Sequence, residues 1–510
     1  MKIINKIVKK VAQKRLSEIE KFKKNPVDVQ YNLLKKLIES AKKTDFGKEH
    51  KFSEILKSFD IENFQKQVPV RNYDDIKPYI DRIRNGESNV LWHTPVKWFA
   101  VSSGTTSDKS KFIPVSKEAL EENHFRGGKD IIVIYSSRYE DTKLVKSKSL
   151  VIGGSRQISS FGNKIYYGDL SAVIIDNLPI WSHLLRTPRK ETALLPEWEE
   201  KLEKMAEETI SENVTSITGV PSWTLVLLKR ILEKTGKKNI SEVWPDFELF
   251  IHGGVSFTPY KNIFEKILPS HTRYLETYNA SEGFFALQDD LSRNDMLLML
   301  DIGIFYEFIP VENIFDDNPP VFTVADVEKN INYAIVITTN SGLWRYLIGD
   351  TVRFTSLKPH KIKITGRIKH FINAFGEELI IENAEKALKE TSEKTGAHIR
   401  EYTAAPVYIS DTNTGAHEWL IEFTKMPENL QEFVKILDSE LKKVNTDYAA
   451  KRHKDLTLRM PAVNVAREGL FYEWLKEKGK LGGQHKIPRL SNTRIYIDEL
   501  LALNSKKTVS

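Results

Sequence analysis

Val101-Ser-Ser-Gly-Thr-Thr-Ser-Asp-Lys-Ser-Lys-Phe-Ile-Pro114 gathers the hydroxyls of Ser102, Ser103, Thr105, Thr106 and Ser107 around Gly104, with Lys109 and Lys111 close behind. Trp98 to Val101 lead in as a short apolar run, and Phe112 to Val115 lead out as another. Two such runs around a polar turn predict a pair of buried strands. A turn rich in backbone N–H groups, hydroxyls and ammonium groups suits a polyphosphate. The Gly-x-x-x-x-Gly-Lys-Ser/Thr pattern is absent, so this is not a Walker A loop. Composition alone favours a solvated Ser/Thr hairpin, and the choice falls to the rest of the chain.

Upstream, residues 1 to about 65 read as helices, with apolar positions three and four apart and lysines between. Ile3, Ile4, Ile7, Val8 and Val11 share one face of a basic N-terminal helix, without the continuous apolar core of a signal peptide. Pro69 to Pro78 breaks the helical pattern, and Tyr79 to Arg84 forms one more helical piece ended by Asn85-Gly86.

Downstream, Lys117 to Ser136 is helical in pattern, and Ser149 to Gly154 reads as a strand ending in a turn. Ile217 to Pro221 forms a strand-to-helix corner before Trp223. Phe247 to Ile251 is apolar without alternation, as a strand buried on both faces should be, and ends in His252-Gly253-Gly254-Val255. Strands follow at Thr272 to Thr277, Ile302 to Ile309 and Tyr333 to Thr339. Strands alternating with helices predict a layered α/β fold. The texture changes near residue 368. Glu401 to Ile409 and Glu418 to Phe423 alternate as paired strands across Asp411 to Gly415, followed by two helices. The expected organisation is a large N-terminal α/β domain over 1–367 and a smaller, mobile α+β domain over 368–510.

A chain of 510 residues is long for a single core, which agrees with two domains. The net charge of +7 comes from 76 basic and 69 acidic residues mixed along the chain, so no nucleic-acid stripe is expected. Without cysteine there are no disulfides, thiolate zinc sites or thiol nucleophiles, and the histidines show no His-Glu-x-x-His spacing. No apolar run reaches the length that spans a bilayer. A cytoplasmic monomer is the expectation.

Three later stretches bear on the loop. Tyr278-Asn-Ala-Ser-Glu-Gly-Phe284 follows a strand and carries Glu282; Tyr346-Leu-Ile-Gly-Asp350 reads as a strand end carrying Asp350; Gly479 to Pro488 sets Lys480 and Lys486 on a glycine-rich segment. Taken in this order they resemble the adenylate-forming superfamily, which includes firefly luciferase. Val68-Pro-Val, Ile76-Lys-Pro-Tyr-Ile-Asp-Arg-Ile, Ser102-Ser-Gly-Thr-Thr, Thr338-Thr-Asn-Ser-Gly-Leu-Trp-Arg-Tyr and Gln484-His-Lys-Ile-Pro-Arg are similar to one branch of it. That branch is the Gretchen Hagen family, the auxin-responsive acyl acid-amido synthetases of plants and their bacterial relatives. Two departures stand out: Asp108 where the plant loop commonly has a second glycine, and Leu347 where the plant motif has arginine. The segment Asn373 to Glu378 also differs from the plant hinge.

The resemblance implies an ATP- and Mg²⁺-dependent ligase. A carboxylic acid is adenylated, pyrophosphate leaves, and an amino acid or other amine then displaces AMP. It implies that Ser102, Ser103, Gly104, Thr105, Thr106 and Lys111 hold the phosphates and that Glu282 ligates Mg²⁺. Asp350 would accept the ribose hydroxyls, with Arg367 a second ribose or phosphate contact. Gly253, Gly254 and Val255 would let backbone approach the adenine, beside Tyr278, Asn279, Ala280 and Ser281. Lys486, with Lys480 the rival, would steady the charge at the α-phosphate, and rotation near residues 367 to 377 would open room for the amine. His124, Val220 and Trp223 are acyl-pocket candidates by position. Two alternatives stay open: coenzyme A as the acceptor, or a nucleotide sensor without turnover.

Overall fold

The computed structural model describes residues 2–102, 111–153, 158–162, 164–179, 182, 184–255, 257–258, 260–368, 371–409, 414–455, 457–478 and 488–506. Its strands are β1 (Trp98–Ser102), β2 (Lys111–Val115), β3 (Lys148–Val151), β4 (Ser159–Gly162), β5 (Ile165–Gly168), β6 (Arg186–Thr187), β7 (Val214–Gly219), β8 (Leu249–His252), β9 (Arg273–Ala280), β10 (Gly283–Leu287), β11 (Met296–Leu298), β12 (Ile304–Pro310), β13 (Asn332–Thr339), β14 (Tyr346–Leu357), β15 (His360–Arg367), β16 (Phe371–Ile372), β17 (Leu379–Ile380), β18 (His398–Val407), β19 (Ala416–Lys425) and β20 (Ala462–Ala466).

One eleven-stranded sheet carries the molecule, in the order β12-β13-β14-β15-β11-β10-β9-β8-β7-β3-β6. From β6 to β9 the neighbours are parallel; from β9 to β12 they are antiparallel. Both faces of β8 are buried, Leu249 and Ile251 in one core cluster and Phe250 in another, which is why this run could be apolar without alternation. A second sheet, β2-β1-β5-β4, holds the hydroxyl loop: β1 and β2 pair antiparallel from Trp98↔Val115 to Ser102↔Lys111, as the two apolar runs predicted. The C-terminal domain has its own sheet, β18-β19-β20, with the expected hairpin closing at Val407↔Ala416. Among the described residues no helix is long and apolar enough to cross a membrane.

Three local expectations are corrected. The helix before the loop runs from Tyr73 to Arg84 rather than from Tyr79, and it passes through Pro78. Asn72 starts it early with a capping box: its side chain accepts from the backbone N–H of Asp74 and Asp75, and Asp75 accepts from Asn72 N–H at 2.9 Å. Burial of Ile76, Ile80 and Ile83 along one face holds the rest. The helix after the loop is interrupted by a π-turn at Leu120–His124 before resuming at Phe125–Arg138. Asp350 lies inside β14, not at a strand end.

The motif Thr338 to Tyr346 joins this sheet to the N-terminal helices. Arg345, 3% exposed, donates to Glu307 at 2.9 Å and to the carbonyls of Gln65 and Val68 at 2.9 and 2.7 Å. Trp344 donates to Leu91 O at 3.1 Å. Arg71 N–H donates to Arg345 O, and Leu347 N–H donates to Arg71 O. Leu347 itself packs into a small apolar cluster with Val70, Val336 and Ile368. On the outer edge, Gln30 takes care of β12: its amide donates to Ile304 O at 2.9 Å and accepts from Tyr306 N–H at 2.8 Å.

Glu307→Ala strands the Arg345 charge in the core, so a loss of about 3–5 kcal/mol is expected, read as a fall in melting temperature. Two buried histidines add a pH dependence. Burial pushes His124 down to about 4 and His252 down to about 3, from an ordinary value near 6.5. Below pH 6.5 the unfolded chain takes up protons that the folded chain refuses. Stability therefore falls on acidification, by about 1.4 kcal/mol per pH unit per histidine until each folded value is reached. Melting curves between pH 7 and 5 should show this slope, and His124→Gln and His252→Gln should each flatten it.

Candidate active site

Asp350 is the centre of the site. Gly349, at φ +97°, puts a kink into β14, and its carbonyl accepts from Ile368 N–H at 2.8 Å. The register then sets Asp350 opposite Arg367 of β15. Arg367 Nε donates to Asp350 Oδ1 at 2.6 Å, and Tyr278 Oη, from β9, donates to Oδ2 at 2.6 Å. Each carboxylate oxygen keeps a second lone pair, so ribose hydroxyls can still be accepted. Burial alone would lower the Arg367 guanidinium, but Asp350 and Glu378 outweigh it and hold it above its ordinary value. Burial and then Asp350 push the Tyr278 phenol well up.

Glu282 stands in the two-residue turn between β9 and β10, where Gly283 pairs with Ala280. Burial raises its carboxyl above the usual carboxylate range; Lys111, at the start of β2, opposes this, as does Arg367 more weakly, while Asp350 adds to it. The carboxylates of Glu282 and Asp350 and the cations Lys111 and Arg367 therefore share one electrostatic neighbourhood, assembled from β2, β14, β15 and the β9–β10 turn. Among the described residues no group of three metal-ligating side chains occurs. A single carboxylate in the neighbourhood of Lys111 fits Mg²⁺, which takes most of its ligands from phosphate and water. Ser103, Gly104, Thr105, Thr106 and Asp108 lie outside the described residues, as do Lys480 and Lys486; of Ser102 only the backbone is described.

The adenine candidates form the turn after β8. A Cβ on Gly253 would sit 2.4 Å from Thr277 O, so only glycine lets β8 run this close to β9. Gly254 is exposed at φ +82° and Val255 is half-buried. Asn279 is exposed, and Ala280 and Ser281 are half-buried, along the neighbouring strand end. The acyl candidates fall in two places. His124 is buried with a side-chain hydrogen bond to Asn279. Val220 borders the Gly254 turn, where its Cγ2 lies 3.5 Å from the position of an added Cβ. Trp223 carries the Lys451 ammonium 3.6 Å from its ring centre, so the C-terminal domain covers it. Asn123, next to His124, is a brace: it donates to Phe284 O and Ile302 O at 3.1 and 2.8 Å and accepts from Phe284 N–H at 2.7 Å.

Residues beyond β16 also reach the site, and the sequence reading missed them. Asn373 Nδ2 donates to Gly254 O at 3.5 Å, Tyr260 Oη donates to Ala374 O at 2.7 Å, and Ser222 Oγ donates to Phe375 O at 3.2 Å. Glu378, at φ +39°, brings a carboxylate oxygen 3.7 Å from Arg367 Nη1. A left-handed backbone at a non-glycine residue is costly and marks a position over-determined by its surroundings. The Gly376-Glu-Glu turn is visible in the sequence, but nothing in its pattern says that it folds back onto Arg367.

Comparison with known proteins identifies the family. The description "GH3 family N-terminal domain" matches residues 15–273, "GH3 family central domain" residues 297–367, and "GH3 family C-terminal domain" residues 382–495. The chain is 24% identical to the 4-substituted benzoates-glutamate ligase GH3.12 of Arabidopsis thaliana, covering 92% of this chain and 94% of that one. It is 24% identical to the jasmonoyl-L-amino acid synthetase JAR6 of Nicotiana attenuata, covering 96% and 95%. Among solved structures, the AtGH3.15 acyl acid amido synthetase in complex with 2,4-DB superposes with a TM-score of 0.59 at 20% identity, over 96% of this chain and 95% of that one. A 2-hydroxyisobutyryl-CoA ligase shares the fold with a TM-score of 0.57 at 13% identity, over 95% and 93%. The N-terminal match alone takes in half of the chain, and this protein belongs to the Gretchen Hagen, or GH3, family.

Proposed function

We propose that this chain is an ATP-dependent acyl acid-amido synthetase. A carboxylate oxygen of the acid attacks the α-phosphorus of ATP, and the bond to the departing pyrophosphate breaks. The nitrogen of an amino acid or other amine then attacks the acyl carbon, the bond to the AMP oxygen breaks, and the nitrogen gives up a proton. The observation that carries the reading is Asp350, held by Tyr278 and Arg367 at 2.6 Å each, in the same electrostatic neighbourhood as Glu282 and Lys111. A nucleotide asks for that set: a carboxylate for the ribose and paired charges for the phosphates.

In this proposal Asp350 accepts the ribose hydroxyls and Arg367 holds it oriented. Gly253, Gly254 and Val255 lie against the adenine, with Tyr278, Asn279, Ala280 and Ser281 along the adjoining strand end. Ser102, Ser103, Gly104, Thr105, Thr106 and Lys111 hold the phosphates, lowering the repulsion between two anions that must meet in line. Glu282 would hold Mg²⁺, which supplies further charge neutralisation at the phosphates. Lys486 steadies the charge that develops at the α-phosphate. The division into 1–367 and 368–510 belongs to the proposal, as does rotation of the second part once the adenylate has formed. Amino-acid conjugation is what the names of the relatives describe, and it supports the amine over coenzyme A as acceptor.

The test is pyrophosphate release from ATP and Mg²⁺ with a panel of aryl and indole acids, with amino acids, with coenzyme A and with neither. Acid-dependent release, with amide formed when an amino acid is present, is the expected result. Thioester formation in its place would reassign the acceptor, and ATP binding without release for any acid would favour a sensor. Glu282→Gln should slow release at least about 100-fold, roughly 3 kcal/mol of lost transition-state stabilisation. Lys486→Ala should abolish adenylation while sparing much of ATP binding; an unchanged rate in that variant, with loss in Lys480→Ala, would move the role to Lys480.

A further inference from the structure

We infer that Arg186 and Lys201 form a buried oxyanion site at the β6 edge of the large sheet, taking a carboxylate or an inorganic phosphate. Arg186 opens β6, the outermost strand, and is 6% exposed. Its Nε, Nη1 and Nη2 are all buried without a hydrogen-bond partner among the described residues. A guanidinium stays charged in a protein and carries five N–H donors, so leaving all of them unmet in a dry place is costly. Lys201, from the helix Trp198–Ile210, is 0% exposed and donates to Gly153 O at 3.1 Å.

Arg186 acts on Lys201. Burial pulls Lys201 down to about 8, Arg186 pushes it the same way, and Asp169 opposes them. On Arg186 the opposing charge is Glu191, which is itself exposed. A chain that keeps two repelling cations together inside its fold gains most from an anion that accepts from both. The flat guanidinium offers two parallel N–H donors to two oxygens, and an ammonium beside it serves as a point charge.

The place suits a ligand connected with the reaction. Gly153 follows β3; Ile152 abuts Gly219 at the end of β7, where an added Cβ would lie 3.1 Å from Ile152 Cβ; and Val220 borders the Gly254 turn after β8. Lys201 thereby reaches the C-terminal rim of the parallel strands, which the nucleotide turn shares two strand spacings away, while Arg186, opposite Ser149 of β3, stands lower on β6, three spacings from β8, or about 14 Å. A carboxylate on the amine substrate could lie along that rim, and this source rests on the amido-synthetase reading. Free phosphate does not.

Calorimetric titration of the full-length protein with glutamate and with inorganic phosphate, at chloride-matched ionic strength, tests the site. Saturable binding of at least one is expected, weakened tenfold or more in Arg186→Met. Arg186→Lys, which keeps the charge but loses the paired donors, should weaken it severalfold and serves if the methionine variant does not fold. Glutamate alone would name the substrate's carboxylate as the source, phosphate alone the free ion, and both a general oxyanion site. No binding of either by the wild type, or equal binding by the wild type and the variants, would overturn the inference. Acid-dependent pyrophosphate release is followed in the same samples: its absence with anion binding intact would sink the amido-synthetase reading and leave the oxyanion site standing.

Discussion

A carboxylate that is 8% exposed is costly to bury unless its oxygens are hydrogen-bonded, and those of Asp350 are met twice. Arg367 approaches across the β14–β15 ladder and Tyr278 approaches from β9, on the other side of β11 and β10 in the sheet order. Both contacts require the antiparallel half of the sheet to hold its register, because a slip of one residue turns Arg367 to the opposite face. The kink at Gly349 is part of the same arrangement, since it re-aims Asp350 while its carbonyl ties down Ile368. From that point the site extends outward to Glu282 on one side and to Glu378, brought in by the C-terminal domain, on the other.

The two family motifs that do not touch this centre have a mechanical role. Val68-Pro-Val and the Thr338 to Tyr346 run are far apart in sequence, yet Arg345 donates to Val68 O, and Arg71 and Leu347 bridge the same two segments through the backbone. Trp344 stacks on Phe46 and meets Phe52 edge-on, both from the first helices. The N-terminal helices are thus fastened to β13 and β14 through one buried ion pair and one indole. Leu347 faces the apolar cluster around Val70 and Ile368, so a leucine there is satisfied by packing.

Much of this was legible in the sequence because it follows from period and from local chemistry. The β1–β2 pair, the parallel strand β8, the β18–β19 hairpin and the order of Glu282 and Asp350 along the chain all announce themselves within ten or fifteen residues. What was not legible depends on partners distant in sequence. Proline at position 78 argues for a break, but the capping box at Asn72 and a buried isoleucine face outvote it. Asp350 reads as a strand end because Gly349 precedes it, whereas the strand absorbs that glycine as an irregularity and runs on to Leu357. Glu378 and Arg186 carry no local signal, and their significance lies wholly in what they face.

The π-turn at Leu120–His124 behaves as one residue inserted into a helix. Its effect is to set the phase of everything that follows. Gly127 lies against the Phe284 ring, where an added Cβ would come within 2.4 Å, and Asp130, farther along, receives Arg15 through two bonds of 2.7 Å. Drawing the turn into a regular α-helix at unchanged length would rotate this face by about 100°. Gly127 would then swing away from the ring, and Asp130 away from Arg15. The wide turn takes up its extra residue locally, and the placement of the downstream face depends on that width.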